Sequence, residues 1–176
     1  LFSRASERFS SPYALINNAG VWSETPLLQC TTEEIDSMFH NNLKSTIVGT
    51  KVAGMELAQG GSIVNIGSFA GVMSMNSGVL YSTFKAAIIQ FTQSAASELA
   101  DKDIRVNCVI PGVIKTPMTE DYISQHIEKL LKPIAMKRLG LPSDIADGVL
   151  FLTSDKASYI TGISLRITGG KYLTQL

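Results

Sequence analysis

Charge of one sign, paired cysteines, metal-type spacings and long apolar runs are all missing from this chain, and each absence removes a class of function. Its 15 basic and 15 acidic residues balance, so there is no electrostatic case for nucleic acid or an anionic membrane surface. Cysteine is limited to Cys30 and Cys108, far apart and without metal-ligand spacing. No disulfide framework follows, a reducing compartment fits better, and both are expected to be buried small hydrophobes. No apolar run approaches the roughly 18 residues of a membrane span, and no secretory signal pattern opens the chain. The chain does not begin with Met, and its beginning reads as cut. What is present is 45% hydrophobic against 17% charged residues over 176 positions, enough for one domain, 1–176, with a sizeable core.

The stretch from Gly61 to Leu99 holds the densest chemistry. Ile63–Ile66 is a nearly all-apolar run, expected of a strand buried on both faces of a parallel sheet, and it delivers Ser68. After a loop rich in Gly, Ser, Met and Asn, a helix is expected from about Val79 to Ala100. Its stripe of Phe84, Ala87, Ile88, Phe91, Ala95 and Leu99 follows i, i+3, i+4 spacing. A second face, Ala86, Ile89 and Ala96, is apolar or small. A helix with two such faces is expected to be covered on both sides, one of them by another subunit. Tyr81 and Lys85 stand four apart, on one face. An ammonium beside a phenol favours the phenolate and lowers a pKa of about 10. Tyr81 could then move a proton in general acid–base work on a carbonyl or alcohol, with Ser68 across the cleft holding the substrate oxygen. A Tyr and a Lys at this spacing arise by chance in roughly a third of chains this long, so the pair counts only in company.

That company is a train of alternating helices and strands. Leu1–Ser10 carries Phe2, Ala5 and Phe9 at helical spacing, and Pro12 ends it. Tyr13–Ile16 is a short strand running into Asn17-Asn18-Ala19-Gly20, small and turn-forming residues that let the backbone approach a ligand closely. Thr31-Thr32-Glu33-Glu34 has capping-box spacing and opens a long helix to about Leu57, with Asn41 and Asn42 in its middle. Gly60-Gly61 would end it with a left-handed cap. Ile104–Ile110 is another buried strand, and Pro111-Gly112 turns the chain where open α/β sheets bind ligands. Pro117 to about Lys137 suggests a mobile helical lid. Pro142 falls in the first turn of a helix to about Thr153, and Ile163–Ile167 is a last strand before Gly169-Gly170. Strands separated by helices make this an α/β chain, the second half of a doubly wound parallel sheet.

Ser68, Tyr81-x-x-x-Lys85 and an upstream Asn resemble the active-site signature of the short-chain dehydrogenase/reductases, and the likeness runs along essentially all 176 residues. The resemblance implies a Rossmann-like domain of which this chain is the C-terminal two-thirds. It makes Asn42, Ser68, Tyr81 and Lys85 the catalytic set, with NAD or NADP as cofactor. It assigns Asn18, Ala19 and Gly20 to the cofactor's ribose and one Asn side chain of that turn to steadying the sheet. Pro111, Gly112, Ile114 and Thr116 would wrap the nicotinamide, and Tyr81 and Lys85 would also touch the cofactor. Asn42 is picked over Asn41 because Asn42-Leu-Lys-Ser-Thr matches the family pattern. There the Asn is expected to kink its helix and hold a water linking the lysine to solvent. Homo-oligomers packed through helices 43–58 and 79–100 are implied too.

The run VNCVIPGVIKTPMTE and the ending ISLRITGG look most like 3-oxoacyl-carrier-protein reductases and type-8 17-beta-hydroxysteroid dehydrogenases. That implies a small carbonyl substrate, a 3-oxoacyl thioester or a steroid, in the cytoplasm or mitochondrial matrix. Two positions depart from the family: Thr168 where many members have Asp, and Gly67 where many have Ser. No Gly-x-x-x-Gly-x-Gly occurs, so the turn that holds the pyrophosphate and the residue that chooses NAD or NADP are expected to lie outside this chain. A non-catalytic, truncated subunit assembling with full-length partners is the alternative. A serine hydrolase built on Ser68 fails, because Ile66 and Ala70 stand where a nucleophile elbow needs Gly, and His40 and His126 offer no triad order.

Overall fold

The computed structural model describes residues 2–9, 11–74, 77–171 and 173. Met75 and Asn76 of the expected Gly/Ser/Met/Asn loop, and Leu1 and Ser10 of the expected first helix, lie outside the described residues. Strands β1 (Ala14–Asn17), β2 (Ser62–Ile66), β3 (Arg105–Pro111) and β4 (Ser164–Ile167) form one parallel sheet in the order β1-β2-β3-β4. Asn17 lies beside Asn65, Ile66 beside Val109 and Pro111 beside Ile167. The carboxyl ends of the strands therefore open along one rim.

Helices cover both faces of the sheet. On one lie α3 (Ser45–Glu56) and α4 (Val79–Leu99); on the other lies α6 (Pro142–Thr153). Side chains alternate across a strand, which sorts Ile63, Val106, Cys108 and Ile110 towards α3 and α4, and Val64, Val109 and Leu165 towards Leu152 of α6. With both faces covered the strands carry continuous apolar runs, and each fully buried Ile or Val contributes about 1.5–3 kcal/mol. Between β3 and α6 run a 3-10 turn (Pro117–Thr119) and α5 (Glu120–Leu131), whose Leu130 is buried with Ile134 and Leu139. Pro142 occupies the first turn of α6, as expected.

The long helix beginning at Thr31 forms in three pieces: α2 (Thr32–Met38), a π-helical segment (Phe39–Lys44) and α3. Thr31 caps α2 by accepting from the Glu34 backbone N–H at 3.2 Å. Only this half of the capping box forms. The Glu34 carboxylate turns away to accept from Ser23 Oγ at 2.5 Å and Thr25 Oγ1 at 2.6 Å, tying down the loop after β1. Those two bonds hold its carboxyl below the usual range.

Other expectations need correcting. The helix does not end at Gly60-Gly61 with a left-handed cap. Leu57 is already extended (φ −70°, ψ 146°), which lets its side chain pack on the cluster around Ala53 and Ile63, and Gly60 takes its positive φ of 81° in the following turn. In α1 (Phe2–Phe9) Phe2 reaches the core while Phe9 is 79% exposed. On the expected second face of α4, Ala86 is exposed, Ile89 half-buried and Ala96 buried within this chain. Cys108 is fully buried, but Cys30 is only half-buried, its thiol reaching the Pro26 carbonyl at 3.5 Å. Among the described residues no helix is long and apolar enough to cross a membrane, and no group of His, Cys, Asp and Glu could hold a metal.

Candidate active site

Every residue nominated from the sequence lines one cleft of about 500 Å³ at the carboxyl ends of the strands. Asn18, Ala19 and Gly20 follow β1, and Ser68 follows β2. Pro111 ends β3, with Gly112, Ile114 and Thr116 just beyond it. Tyr81 and Lys85 come from α4, and Asn42 from the π-helical segment. This is where open parallel sheets leave a crevice for ligands. A second hollow, about 520 Å³ along the outer side of β1, carries no acid–base pair.

Ser68 stands in extended backbone at the head of the turn Phe69–Gly71, its Oγ accepting from the Ala70 N–H at 3.1 Å. That turn lies directly on α4: a Cβ at Gly71 would come within 2.7 Å of the Ala86 nitrogen. Glycine is what lets the serine turn approach the tyrosine helix so closely. Lys85 is 5% exposed and donates to the Ile66 carbonyl, the last of β2, at 2.8 Å. Its Nζ stands over the Tyr81 ring, 5.6 Å from the centroid. Burial disfavours the charged form and brings its pKa from 10.5 down to about 8.

Tyr81 departs from expectation. Its pKa is raised rather than lowered, because burial of the phenol dominates, with the hydrogen bond to Ser68 pulling the other way. The lysine is engaged by the Ile66 carbonyl and does not overturn that balance. In this structure the phenol is therefore a firmly held proton, suited to an acid.

The two asparagines of the long helix separate clearly. Asn42 is fully buried; its Nδ2 donates to the Met38 carbonyl at 3.0 Å and its Oδ1 accepts from the Val21 N–H at 3.2 Å. Asn41 is exposed, and its side-chain Nδ2 donates to Ser37, one turn back. Asn42 sits in a single π-helical segment, the kind of local helix defect that recurs at functional sites. The sheet-steadying asparagine of the turn is Asn17, not Asn18. Its Nδ2 donates to Asn65 Oδ1 at 2.8 Å and Thr50 Oγ1 at 3.1 Å, pinning β1 to β2 and α3.

Several contributors carried no signal in the sequence. The Ile66 carbonyl and the Val21 N–H are backbone groups, invisible to side-chain patterns. Met118 and Thr119, which wall the cleft, were legible only as part of a lid-like stretch. Thr119 Oγ1 donates to the Ile114 carbonyl at 2.6 Å and accepts from the Thr116 N–H at 3.1 Å, so the wall is tied to the end of β3.

Two observations bear on whether a nicotinamide dinucleotide fits. A Cβ at Gly20 would lie 2.7 Å from Asn42 Oδ1 and 3.7 Å from Lys85 Nζ, so the absent side chain leaves backbone accessible beside those two groups. Lys85 is buried, makes no ion pair among the described residues and donates one hydrogen bond of the three an ammonium can make. Spare donors beside bare backbone suit the hydroxyl-rich ribose at the nicotinamide end, and these residues fit the group there.

The family profile described as Enoyl-(Acyl carrier protein) reductase matches residues 1–171. The chain is 40% identical over 162 residues to the 3-oxoacyl-(acyl-carrier-protein) reductase FabG of Buchnera aphidicola subsp. Schizaphis graminum (strain Sg). That match takes in 91% of this chain and 66% of the relative, so the chain spans just under two thirds of that protein's length. Among solved structures, a short-chain dehydrogenase/reductase named glucose/ribitol dehydrogenase from Brucella melitensis superposes with a TM-score of 0.93 at 32% identity, over 98% of this chain and 70% of that one. The angucycline C-6 ketoreductase LanV with bound NADP gives 0.91 at 29% identity, over 99% and 68%. A profile covering nearly the whole chain, this level of identity and the shared sheet agree: the chain belongs to the short-chain dehydrogenase/reductase family.

Proposed function

We propose that this chain carries the acid–base half of an NAD(P)-dependent oxidoreductase that interconverts a ketone and an alcohol, with 3-oxoacyl thioesters as the favoured substrate class. The observation that carries the reading is the convergence of Ser68, Tyr81 and Lys85 on one cleft at the strand ends. The name of the FabG relative supports the thioester class, and the NADP bound to LanV supports a nicotinamide dinucleotide. A steroid ketone is the second substrate class.

A nicotinamide dinucleotide, when bound, supplies or accepts the hydride. In the reductive direction Tyr81 gives its phenolic proton to the substrate oxygen. Burial raises its pKa, so the proton stays in place until the oxygen becomes basic enough to take it. Ser68 holds that oxygen and its hydrogen bond to Tyr81 orients the phenol. Lys85 offers its free N–H donors to the ribose hydroxyls; titrating near pH 8, it can return a proton to the tyrosine. Asn42 holds the lip of the cleft through Val21 and, with a water, continues the proton path from Lys85. Ile114 and Thr116 bound the nicotinamide side, and Asn18, Ala19 and Gly20 the ribose side.

The same reading places a second copy of the chain against helices 43–58 and 79–100. Val48 and Met55, 49% and 62% exposed on α3, support it. Light scattering should then give a multiple of 19.0 kDa; a monomer rules the assembly out.

The test is calorimetric binding of NADH and NADPH, then turnover of an acetoacetyl thioester, with Tyr81→Phe beside the parent chain. Nucleotide binding is expected to survive in Tyr81→Phe while turnover falls on the order of 10²-fold or more, the scale of general-acid catalysis. Near-normal turnover in the variant overturns the reading.

A further inference from the structure

One rung of the sheet carries hydrogen-bonding side chains from edge to edge. Asn17, Asn65, Cys108 and Ser164 are register partners on β1, β2, β3 and β4, so they share the face that α3 and α4 cover. The rung two residues nearer the amino ends, on the same face, is Leu15, Ile63 and Val106, all in the apolar core. Two residues nearer the carboxyl ends come Ala19 and Gly67, which line the cleft. The polar rung is therefore the layer directly beneath the floor of the site.

Two threonines seat the helices on it. On α3, Thr50 Oγ1 accepts from Asn17 Nδ2 at 3.1 Å. On α4, Thr92 Oγ1 accepts from Asn65 Nδ2 at 3.0 Å, donates to the Ile88 carbonyl at 2.8 Å and lies against the Cys108 thiol. Asn65 is held at its other end too, its Oδ1 accepting from Asn17 at 2.8 Å. Thr92, Asn65 and Cys108 are all fully buried. The Thr92 oxygen sits on Cβ of a side chain that is stiff at χ1. Lys85, two turns earlier, reaches the Ile66 carbonyl on a flexible four-carbon stem. Were the helix to shift, the lysine could follow and the threonine could not. Stability does not account for the pair, because apolar groups of the same shape in both places would be nearly neutral or stabilising. What a satisfied buried hydrogen bond adds is one fixed arrangement.

We propose that Thr92 is a positioning residue for the acid–base pair: its hydroxyl, held by Asn65, sets where α4 crosses β2 and so where Tyr81 and Lys85 stand beside Ser68. The proposal rests on reading Tyr81 and Lys85 as that pair. Thr92 does not line the cleft. It lies eleven residues from Tyr81, about 16 Å along the helix at 1.5 Å per residue, so a tilt of about 4° at Thr92 moves Tyr81 by about 1 Å. A misplacement of about 1 Å is enough to cost one to two orders of magnitude in rate.

Thr92→Val keeps the shape and removes the oxygen. With acetoacetyl thioester its kcat should fall about tenfold at a KM within about twofold, while Thr92→Ser, which keeps the oxygen, should stay within about twofold of the parent in both. A second measurement needs no turnover. Folded Lys85 releases its proton near pH 8 and unfolded lysine at 10.5, so parent stability rises with pH from about 8. An α4 off its seat lets water reach the ammonium and moves that release up by about one pH unit. The urea midpoint of Thr92→Val should then trail the parent's by more at pH 9 than at pH 7. The other titrating groups that face Lys85 are Tyr81 on α4 and Cys108 on β3. Burial raises both, Cys108 to about 11, so they hold their protons in the fold across this window. A merely structural threonine would leave the two curves parallel. Parallel curves, a kcat of Thr92→Val within about twofold of the parent, or an equal loss in Thr92→Ser overturns the proposal. If Thr92→Val does not fold, Asn65→Leu combined with Thr92→Val removes donor and acceptor together, and Asn17 keeps its bond to Thr50. That protein is read by the same comparison of pH 7 with pH 9, and parallel curves overturn the proposal there too. The two readings fail separately: near-normal turnover in Tyr81→Phe sinks the ketone reading, while the urea comparison still decides the seat of α4.

Discussion

Replacing Lys85 with Met should make this protein more stable at neutral pH while removing a group proposed above to bind the cofactor. The ammonium is 5% exposed, and burial lowers its pKa from 10.5 to about 8. At about 1.4 kcal/mol per pH unit, holding it charged in the folded state costs about 3 kcal/mol. Methionine has similar length and no charge, so it removes that cost. It also leaves the Ile66 carbonyl without its 2.8 Å donor, a loss of about 1 kcal/mol. The net expectation is a gain of about 2 kcal/mol at pH 7.

The sign of the pH dependence follows from where the proton sits. Unfolded lysine keeps its proton up to 10.5, whereas folded Lys85 releases it near 8. Between these values the unfolded state binds more protons, and parent stability rises with pH. The advantage of the Met variant should therefore shrink from about pH 8 upwards and vanish or reverse by about 10.5. Urea unfolding of both proteins across this range measures it, because groups that do not sense Lys85 cancel in the difference; the buried Cys108 thiol, coupled to Lys85, is the one that does not. A stability difference that is flat with pH would refute the argument that burial, rather than local packing, sets the state of Lys85. Loss of turnover with gain of stability is the trade expected where a site holds a group its surroundings disfavour.

Two smaller perturbations test the frame around the site. Thr31→Ala removes the one side-chain cap of α2 and should cost about 1 kcal/mol in urea unfolding; an unchanged midpoint would mean the loop tied by Glu34 holds the helix end unaided. Asp144 accepts from both Arg138 guanidinium nitrogens, at 2.7 and 2.8 Å, and from the Leu141 N–H at 2.7 Å. Its carboxyl is thereby held well below the usual range, chiefly by the Arg138 bond. A lowered pKa stabilises above the ordinary value of 3.8 and is lost as pH falls through the folded one. The Tm gap between parent and Asp144→Asn should be constant at neutral pH and close on acidification; a gap that persists in strong acid refutes the assignment.

How much of the site could be read in the sequence depends on how far apart the interacting residues lie. Tyr81 and Lys85 were legible because four residues is one helical turn, and Ser68 because strand runs end visibly. Asn42 and Asn41 are indistinguishable by composition or propensity. The family pattern chose between them, and burial and the Val21 bond are what set Asn42 apart in space. Asn17 was missed because its partners, Thr50 and Asn65, come from α3 and β2 and meet it only once the sheet has formed. Glu34 matched a local capping pattern, yet its carboxylate chose Ser23 and Thr25, two hydroxyls brought close by the loop after β1.

By itself the sequence determined the kinds of element, their order, the parallel α/β architecture and the set of residues that meet at the strand ends. The elements and the architecture follow from periodicity, turn chemistry and caps, which act within a few residues of the chain; the residue set follows from the family resemblance. Tertiary structure alone decided that Tyr81 holds its proton more tightly, that Lys85 holds its own less tightly, that the helix carrying Asn42 widens into a π turn, and that Trp22 reaches Tyr122. These depend on desolvation and on contacts between elements distant in sequence. Both arise only after packing has excluded water, so no local pattern of residue types can encode their sign.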